Sequence, residues 1–230
     1  MAQAREKRLD KMERIEIIKT TRKPQFNFLE SRPSGEVIFE TKDLVIGYEK
    51  PLTIPINFEM RRGQKIALIG DNGIGKTTLL KSLIGLINPI SGEIELGKYQ
   101  KIGYFEQEVK NDRHLAIQEI SDEFPDRTKT QIRRMMARCG LTDKHIDSII
   151  DRLSGGEQAK VRLCKLMNKE TNILILDEPT NHLDQEAKDA LARAIIKYSG
   201  SVILVSHEKE FYEKVVDKVW NCEKWTLKVL

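Results

Sequence analysis

Residues 70–77 read Gly70-Asp71-Asn72-Gly73-Ile74-Gly75-Lys76-Thr77. The β-rich run KIALI stands before them and the helical run TTLLKSLIGLI after them. No other stretch constrains the fold as tightly, because G-x-x-x-x-G-K-[ST] needs a strand behind it and a helix ahead of it. The glycines let backbone N–H groups turn inward around phosphate oxygens. The helix N-terminus adds about half a positive charge. In that setting Lys76 is placed to bridge the β and γ phosphates, and the Thr77 hydroxyl to ligate Mg²⁺. Without its flanks the same string would be only a Gly-rich turn.

The flanks repeat along the chain. Between Val37 and Ile69 the runs VIFETKDLVIGY, LTIPINFEM and KIALIG are short, β-rich and broken by Gly, Pro and charges. The helix from Thr77 is expected to stop at Asn88-Pro89. Further strands are predicted at Gly92–Leu96 and Lys101–Phe105. NILIL is followed by a helix over 185–198, and SVILV by another over 208–218. Continuous apolar runs alternating with helices indicate an α/β domain whose parallel strands are buried on both faces. Residues 112–170 read as mainly helical, with Ile132, Met135, Met136 and Cys139 at i, i+3, i+4 and i+7.

Two more clusters carry chemistry. Ile173-Leu174-Ile175-Leu176-Asp177-Glu178 is an apolar strand ending in two carboxylates. At the carboxyl end of a buried parallel strand, Asp177 would point into the ligand crevice and could hold Mg²⁺. Glu178 is then placed to deprotonate a water attacking a γ-phosphate. Alone, the pair could equally be surface acids ending a strand. Leu153-Ser154-Gly155-Gly156-Glu157-Gln158 opens a helical stretch and offers a hydroxyl and unobstructed N–H groups, a second anion site. Alone, it is also an ordinary N-cap.

Taken together these residues resemble the ATP-binding cassette (ABC) ATPases over roughly 36–230. GDNGIGKTT, through Thr78, matches the Walker A loop, LSGGEQ the signature and ILILDEPT the Walker B strand with its catalytic glutamate. The resemblance implies a P-loop ABC cassette: a RecA-like, mostly parallel sheet core, an antiparallel β subdomain and a helical signature subdomain at about 112–170. It implies Mg-ATP as ligand, with Thr77, Gln107 and Asp177 around the metal. Gln107 in YFEQE corresponds to the Q-loop glutamine and His207 in VSHEKEF to the switch histidine that contacts the γ-phosphate. Tyr48 corresponds to the aromatic that stacks on adenine, though a packing role in a strand fits it too. Cassettes of this family work as head-to-tail pairs, so Ser154, Gly155, Gly156 and Glu157 would act on the nucleotide of a second cassette.

EPTNHLD with SGGEQA is similar to the F subfamily, soluble proteins with two cassettes and no membrane domain that act on ribosomes as translation or antibiotic-resistance factors. Transport subunits more often carry DEPTSALD and SGGQRQRVAIARAL, and a nucleotide-binding subunit of a transporter is the alternative. A chromosome-maintenance ATPase needs hundreds of coiled-coil residues between the phosphate loop and the signature, and Gly70 to Ser154 leaves no room. With one Walker A loop and one signature, the chain reads as a second cassette plus the end of its linker, with a natural single-cassette protein as the alternative. Residues 1–35 are then linker: a charged helix over 5–19 with Leu9, Met12, Ile15 and Ile18 on one stripe, and an extended stretch over 20–35. The helix is either solvated or packed on the protein itself, or it lies near tRNA on the ribosome.

Charge agrees with that division. Residues 1–34 hold nine Lys/Arg and five Asp/Glu, so the whole net charge of +4 sits there and the body is neutral. No apolar run nears the roughly 20 residues of a membrane helix, so no membrane insertion is expected. Cys139, Cys164 and Cys222 form no CxxC pair, which fits buried thiols in a reducing, cytoplasmic compartment.

Overall fold

The computed structural model describes residues 23–106 and 113–229. The helix expected over 5–19 and Gln107 lie outside the described residues. In chain order the strands are β1 (Leu29–Glu30), β2 (Val37–Val45), β3 (Ile56–Arg61), β4 (Lys65–Ile69), β5 (Ser91–Leu96), β6 (Ile102–Phe105), β7 (Glu170–Thr171), β8 (Ile173–Asp177), β9 (Ser201–Val205), β10 (Lys218–Asn221) and β11 (Thr226–Val229). The helices are α1 (Lys76–Leu83), α2 (Ala116–Glu123), α3 (Lys129–Arg138), α4 (Asp143–Ile146), α5 (Gly155–Met167), α6 (Gln185–Lys197) and α7 (Lys209–Val215).

Every residue of β8 and β9 is buried. A strand sends successive side chains to opposite faces, so such runs need cover on both sides. Ile173, Ile175, Ile203 and Val205 pack with α1 and the antiparallel sheet. Leu174, Leu176, Val202 and Leu204 pack with α5, α6 and α7. Between these two cores runs one sheet in the order β11-β10-β4-β9-β8-β6, parallel throughout except for β11. A second, antiparallel sheet runs β3-β2-β5. The expected P-loop architecture of parallel core, antiparallel sheet and intervening helices is present. The carboxyl ends of β4 and β8 lie one strand apart, separated by β9, which sets the phosphate loop facing Asp177.

Four local features differ from the sequence reading. Helix α1 ends at Leu83, short of Asn88-Pro89, because Gly85 (φ 75°) takes the left-handed conformation. Its N–H donates to Ser82 O and that of Leu86 to Lys81 O, which closes the last turn. Helix α7 stops at Val215, since Asp217 N–H already donates to Lys65 O and leads into β10. Strands β10 and β11, short and flanked by charges, were not foreseen.

The fourth concerns residues 23–35, which are extended yet docked on the domain. Phe26 and Phe28 are buried in the core beneath α5 and α6. The Phe28 ring meets Tyr198 edge-on at 5.7 Å. Strand β1 pairs with β7, Gln25 N–H donates to Arg138 O at 2.8 Å, and Ser31 N–H donates to Thr171 O at 2.9 Å. Glu30 accepts from both the N–H and the hydroxyl of Ser199, bonds that hold its carboxyl below the usual range. All three cysteines are buried and free.

Candidate nucleotide site

Between β4 and α1 the chain must turn without blocking its own N–H groups. Gly75 sits at φ 106° as the N-cap of α1, a conformation that would strain any residue with a Cβ, and no side chain caps the helix. The first N–H groups of α1 are thus left to an incoming anion. They open onto a cleft of about 790 Å³. Asn72, Gly73, Gly75, Lys76, Thr77 and Thr78 line one side, and Asp177, Glu178 and His207 the other. Tyr48 stands at the rim, 68% exposed, with Leu52 beside it.

The other loop residues do different work. Gly70 and Asp71 do not line the cleft; their carbonyls accept from the Lys76 ammonium at 2.8 and 2.9 Å. Ile74 packs into the core beneath α1. The ammonium is therefore fixed at the base of the loop.

Thr77 donates its hydroxyl to Asp177 Oδ2 at 2.7 Å. Asp177 Oδ1 is buried with no hydrogen-bond partner. An orphaned carboxylate oxygen beside a hydroxyl is a hard-oxygen donor set, and it fits Mg²⁺. Burial pushes the Asp177 carboxyl above its ordinary value, while the Thr77 hydrogen bond, Lys81 and Lys76 pull the other way. Glu178 follows at φ 51°, a left-handed turn that costs about 1–2 kcal/mol for a residue with a side chain. The turn buries its carboxyl, 7% exposed, against His207, whose Nε2 lies 3.0 Å from Oε1. Despite this proximity, Oε1 lacks an aligned hydrogen bond. Burial raises the Glu178 pKa most; His207 and Lys76 lower it, and Asp177 raises it further.

Sequence reasoning missed Lys81, Asn181, Val205 and Leu52. Lys81 is ion-paired with Glu106 at 2.8 Å and acts electrostatically on Asp177. It lies four residues after Thr77, so its position on the same helix face was open to inference. Lys81 is not part of the lining, whereas Leu52, Asn181 and Val205 are. Asn181 is brought in by the left-handed turn at Glu178, which no residue type signals.

Ser154, Gly155, Gly156 and Glu157 stay outside the cleft. Ser154 caps α5 and Glu157 returns its carboxylate to the Ser154 N–H at 2.8 Å, a reciprocal capping box. A Cβ on Gly156 would fall 2.5 Å from His182 O, and one on Gly155 2.9 Å from the His182 ring. Glycine is required at both because the turn after Glu178 packs directly beneath the signature.

A match to the family described as ABC transporter spans residues 54–181. The chain belongs to this family. Within it, the P-loop core makes the chain an ATPase domain. It is 58% identical over 231 residues to the uncharacterized ABC transporter ATP-binding protein YfmM of Bacillus subtilis, covering 100% of this chain and 45% of that protein. It is 37% identical over 226 residues to ABC transporter F family member 2 of Arabidopsis thaliana, covering 95% of this chain and 33% of that protein. The chain thus spans less than half the length of these relatives. The fold is similar to a dimeric, post-hydrolysis state of the ATP-binding cassette MJ0796 bound to ADP and Pi, with TM-score 0.69 and 18% identity over 80% of this chain and 94% of that one. Among the described residues no helix is long and apolar enough to cross a membrane.

Proposed function

We propose that the cleft binds Mg-ATP and hydrolyses it with Glu178 as general base, in a site completed by the signature of a second cassette. The observation that carries this reading is a single cleft with Lys76 and Thr77 on one wall and Asp177 and Glu178 on the other, while Ser154 stands outside it. Tyr48 and Leu52 offer the adenine ring an apolar rim. Lys76 and the free N–H groups of α1 bind the β and γ phosphates. Thr77 and Asp177 would hold Mg²⁺, with Gln107 as the third member assigned by resemblance. Bound there, the ion would neutralise phosphate charge. Glu178 accepts the proton of the attacking water as its oxygen bonds to the γ-phosphorus and the bond to the ADP oxygen breaks. His207 orients Glu178 and contacts the γ-phosphate. Ser154, Gly155, Gly156 and Glu157 supply the same service to the partner cassette, so hydrolysis releases the pair.

Asp177→Asn keeps the shape of the site but removes a charged ligand. The Mg²⁺ concentration for half-maximal turnover should rise at least about tenfold, the scale on which metal-site partners act. A titration of ATPase rate against Mg²⁺ reads this, and an unchanged midpoint contradicts the role.

We further propose that the chain is the second cassette of a cytoplasmic two-cassette protein that acts on the ribosome in translation or antibiotic resistance. SGGEQA and EPTNHLD, the similarity to an F family member and the 45% coverage of the Bacillus subtilis relative support that reading. The basic segment 1–22 would then lead toward tRNA. Full-length protein carrying Glu178→Gln should co-sediment with ribosomes in Mg-ATP and not in ADP. Recovery with a membrane protein instead would mark a transporter's nucleotide-binding subunit.

A further inference from the structure

Three polar contacts link the signature to His145, nine to twelve positions away on a different helix. Thr142 caps α4, and its N–H donates to His145 Nδ1 at 3.3 Å. An acceptor at Nδ1 leaves the ring proton of the neutral imidazole on Nε2. That nitrogen lies 3.0 Å from Glu157 Oε1. The other oxygen of the same carboxylate, Oε2, accepts the Ser154 N–H at 2.8 Å, and Ser154 Oγ accepts the Glu157 N–H at 3.4 Å. Two capping boxes are thereby joined through one imidazole.

We propose that His145 is a positioning residue for the signature, acting through Glu157 to hold Ser154 in the orientation it needs for the nucleotide of the facing cassette. The inference rests on the composite-site reading above. Glu157 is a carboxylate at the N-terminus of α5, where the helix end favours it. An arriving γ-phosphate seeks the same N–H groups and is repelled by a carboxylate free to swing toward it. With Oε1 occupied by His145, only Oε2 faces the helix end, and the side chain keeps one rotamer. The core side is fixed independently: Lys160, one turn further along α5, pairs with Asp184 at 2.7 Å, and His182 packs beneath Gly155 and Gly156. His145 is the anchor from the helical subdomain, so a displacement of α4 moves the signature with it.

His145→Leu keeps the bulk and removes both the hydrogen bond from Thr142 and the polar contact to Glu157; His145→Gln retains an acceptor and a donor. Hydrogen exchange at the Ser154 and Glu157 amides is read on the full chain, with no nucleotide, and Mg-ATP affinity is measured on the same samples as the check on folding. Leu should speed exchange at these two amides about tenfold, the worth of one polar contact to a carboxylate, and Gln should restore most of the protection. In the Glu178→Gln background, Leu should weaken ATP-driven association about tenfold with Mg-ATP affinity within twofold of the parent, and Gln should recover association. Unchanged exchange in His145→Leu overturns the proposal, as does faster exchange with unchanged association. Should the Glu178→Gln parent itself fail to associate, the composite-site reading falls and with it the catalytic purpose of the relay; exchange still reports whether the relay exists. If His145→Leu loses nucleotide affinity, His145→Ala against His145→Gln gives the same comparison, and equal exchange in those two contradicts the assignment.

Discussion

Glu178→Gln is expected to bind Mg-ATP as tightly as the parent chain and to turn it over at least about 10²-fold more slowly. The amide keeps the size of the side chain and its place beside His207, but it cannot take the water's proton. A second effect follows from burial. The Glu178 carboxyl is raised above its ordinary 4.5, so the folded state favours its protonated form. Its contribution to stability is complete below that ordinary value and is lost as pH rises through the raised one. At pH 7 the wild type carries this cost and the glutamine variant does not. Glu178→Gln should therefore melt higher than wild type at pH 7, and the gain should disappear below about pH 4, where both side chains are neutral. Stopped assays of single-turnover hydrolysis and melting at the two pH values test both halves. Hydrolysis at the wild-type rate removes Glu178 from the mechanism.

Phe28→Ala is the largest stability change expected from a residue remote from the cleft. Phe28 is 4% exposed and packs edge-on against Tyr198. Truncating a buried phenylalanine costs about 3–5 kcal/mol, and the lower end applies because the segment lies at the margin of the core and can settle into the space. In a domain of this size about 3 kcal/mol lowers Tm by roughly 6–12 °C. Mg-ATP affinity should remain unchanged. A Tm within about 2 °C of wild type would return residues 23–35 to the status of a free linker.

That segment shows where the sequence was readable and where it was not. Its prolines and terminal glycine pointed to extended backbone, and it is extended. The alternation of Phe26 and Phe28 with polar Gln25 and Asn27 carried the docking, since two aromatics at i and i+2 face one way along an extended chain. Two residues are too short a pattern to stand out. β8 and β9 were legible because five buried positions in a row leave few alternatives to a doubly covered strand. β10 was not, because Lys218, Asn221 and Glu223 hide a pairing with β4 that only the tertiary fold supplies. The cleft was largely legible, since Lys76, Thr77, Asp177 and Glu178 belong to strings whose spacing follows from phosphate and metal geometry. Lys81 and Asn181 were not, because they reach the site through helix periodicity and a left-handed turn. The helical region was read as one block. Thr128, Thr142 and Ser154, each followed three residues later by Gln131, His145 and Glu157, mark where it divides into separately capped helices.

If the signature acts across an interface as proposed, one chain cannot complete its own site. The most direct measurement is sedimentation velocity of the Glu178→Gln chain over a concentration series, with and without Mg-ATP, alongside the same series for Glu178→Gln with Ser154→Arg. An ATP-dependent shift from monomer toward dimer, abolished by Ser154→Arg, is the result expected of a signature acting across an interface. The shift should be modest, because a free cassette lacks the roughly millimolar effective concentration that a short linker to its partner provides. A strict monomer whose wild-type form turns over ATP at full rate, independent of protein concentration and indifferent to Ser154→Arg, contradicts a site shared between two cassettes.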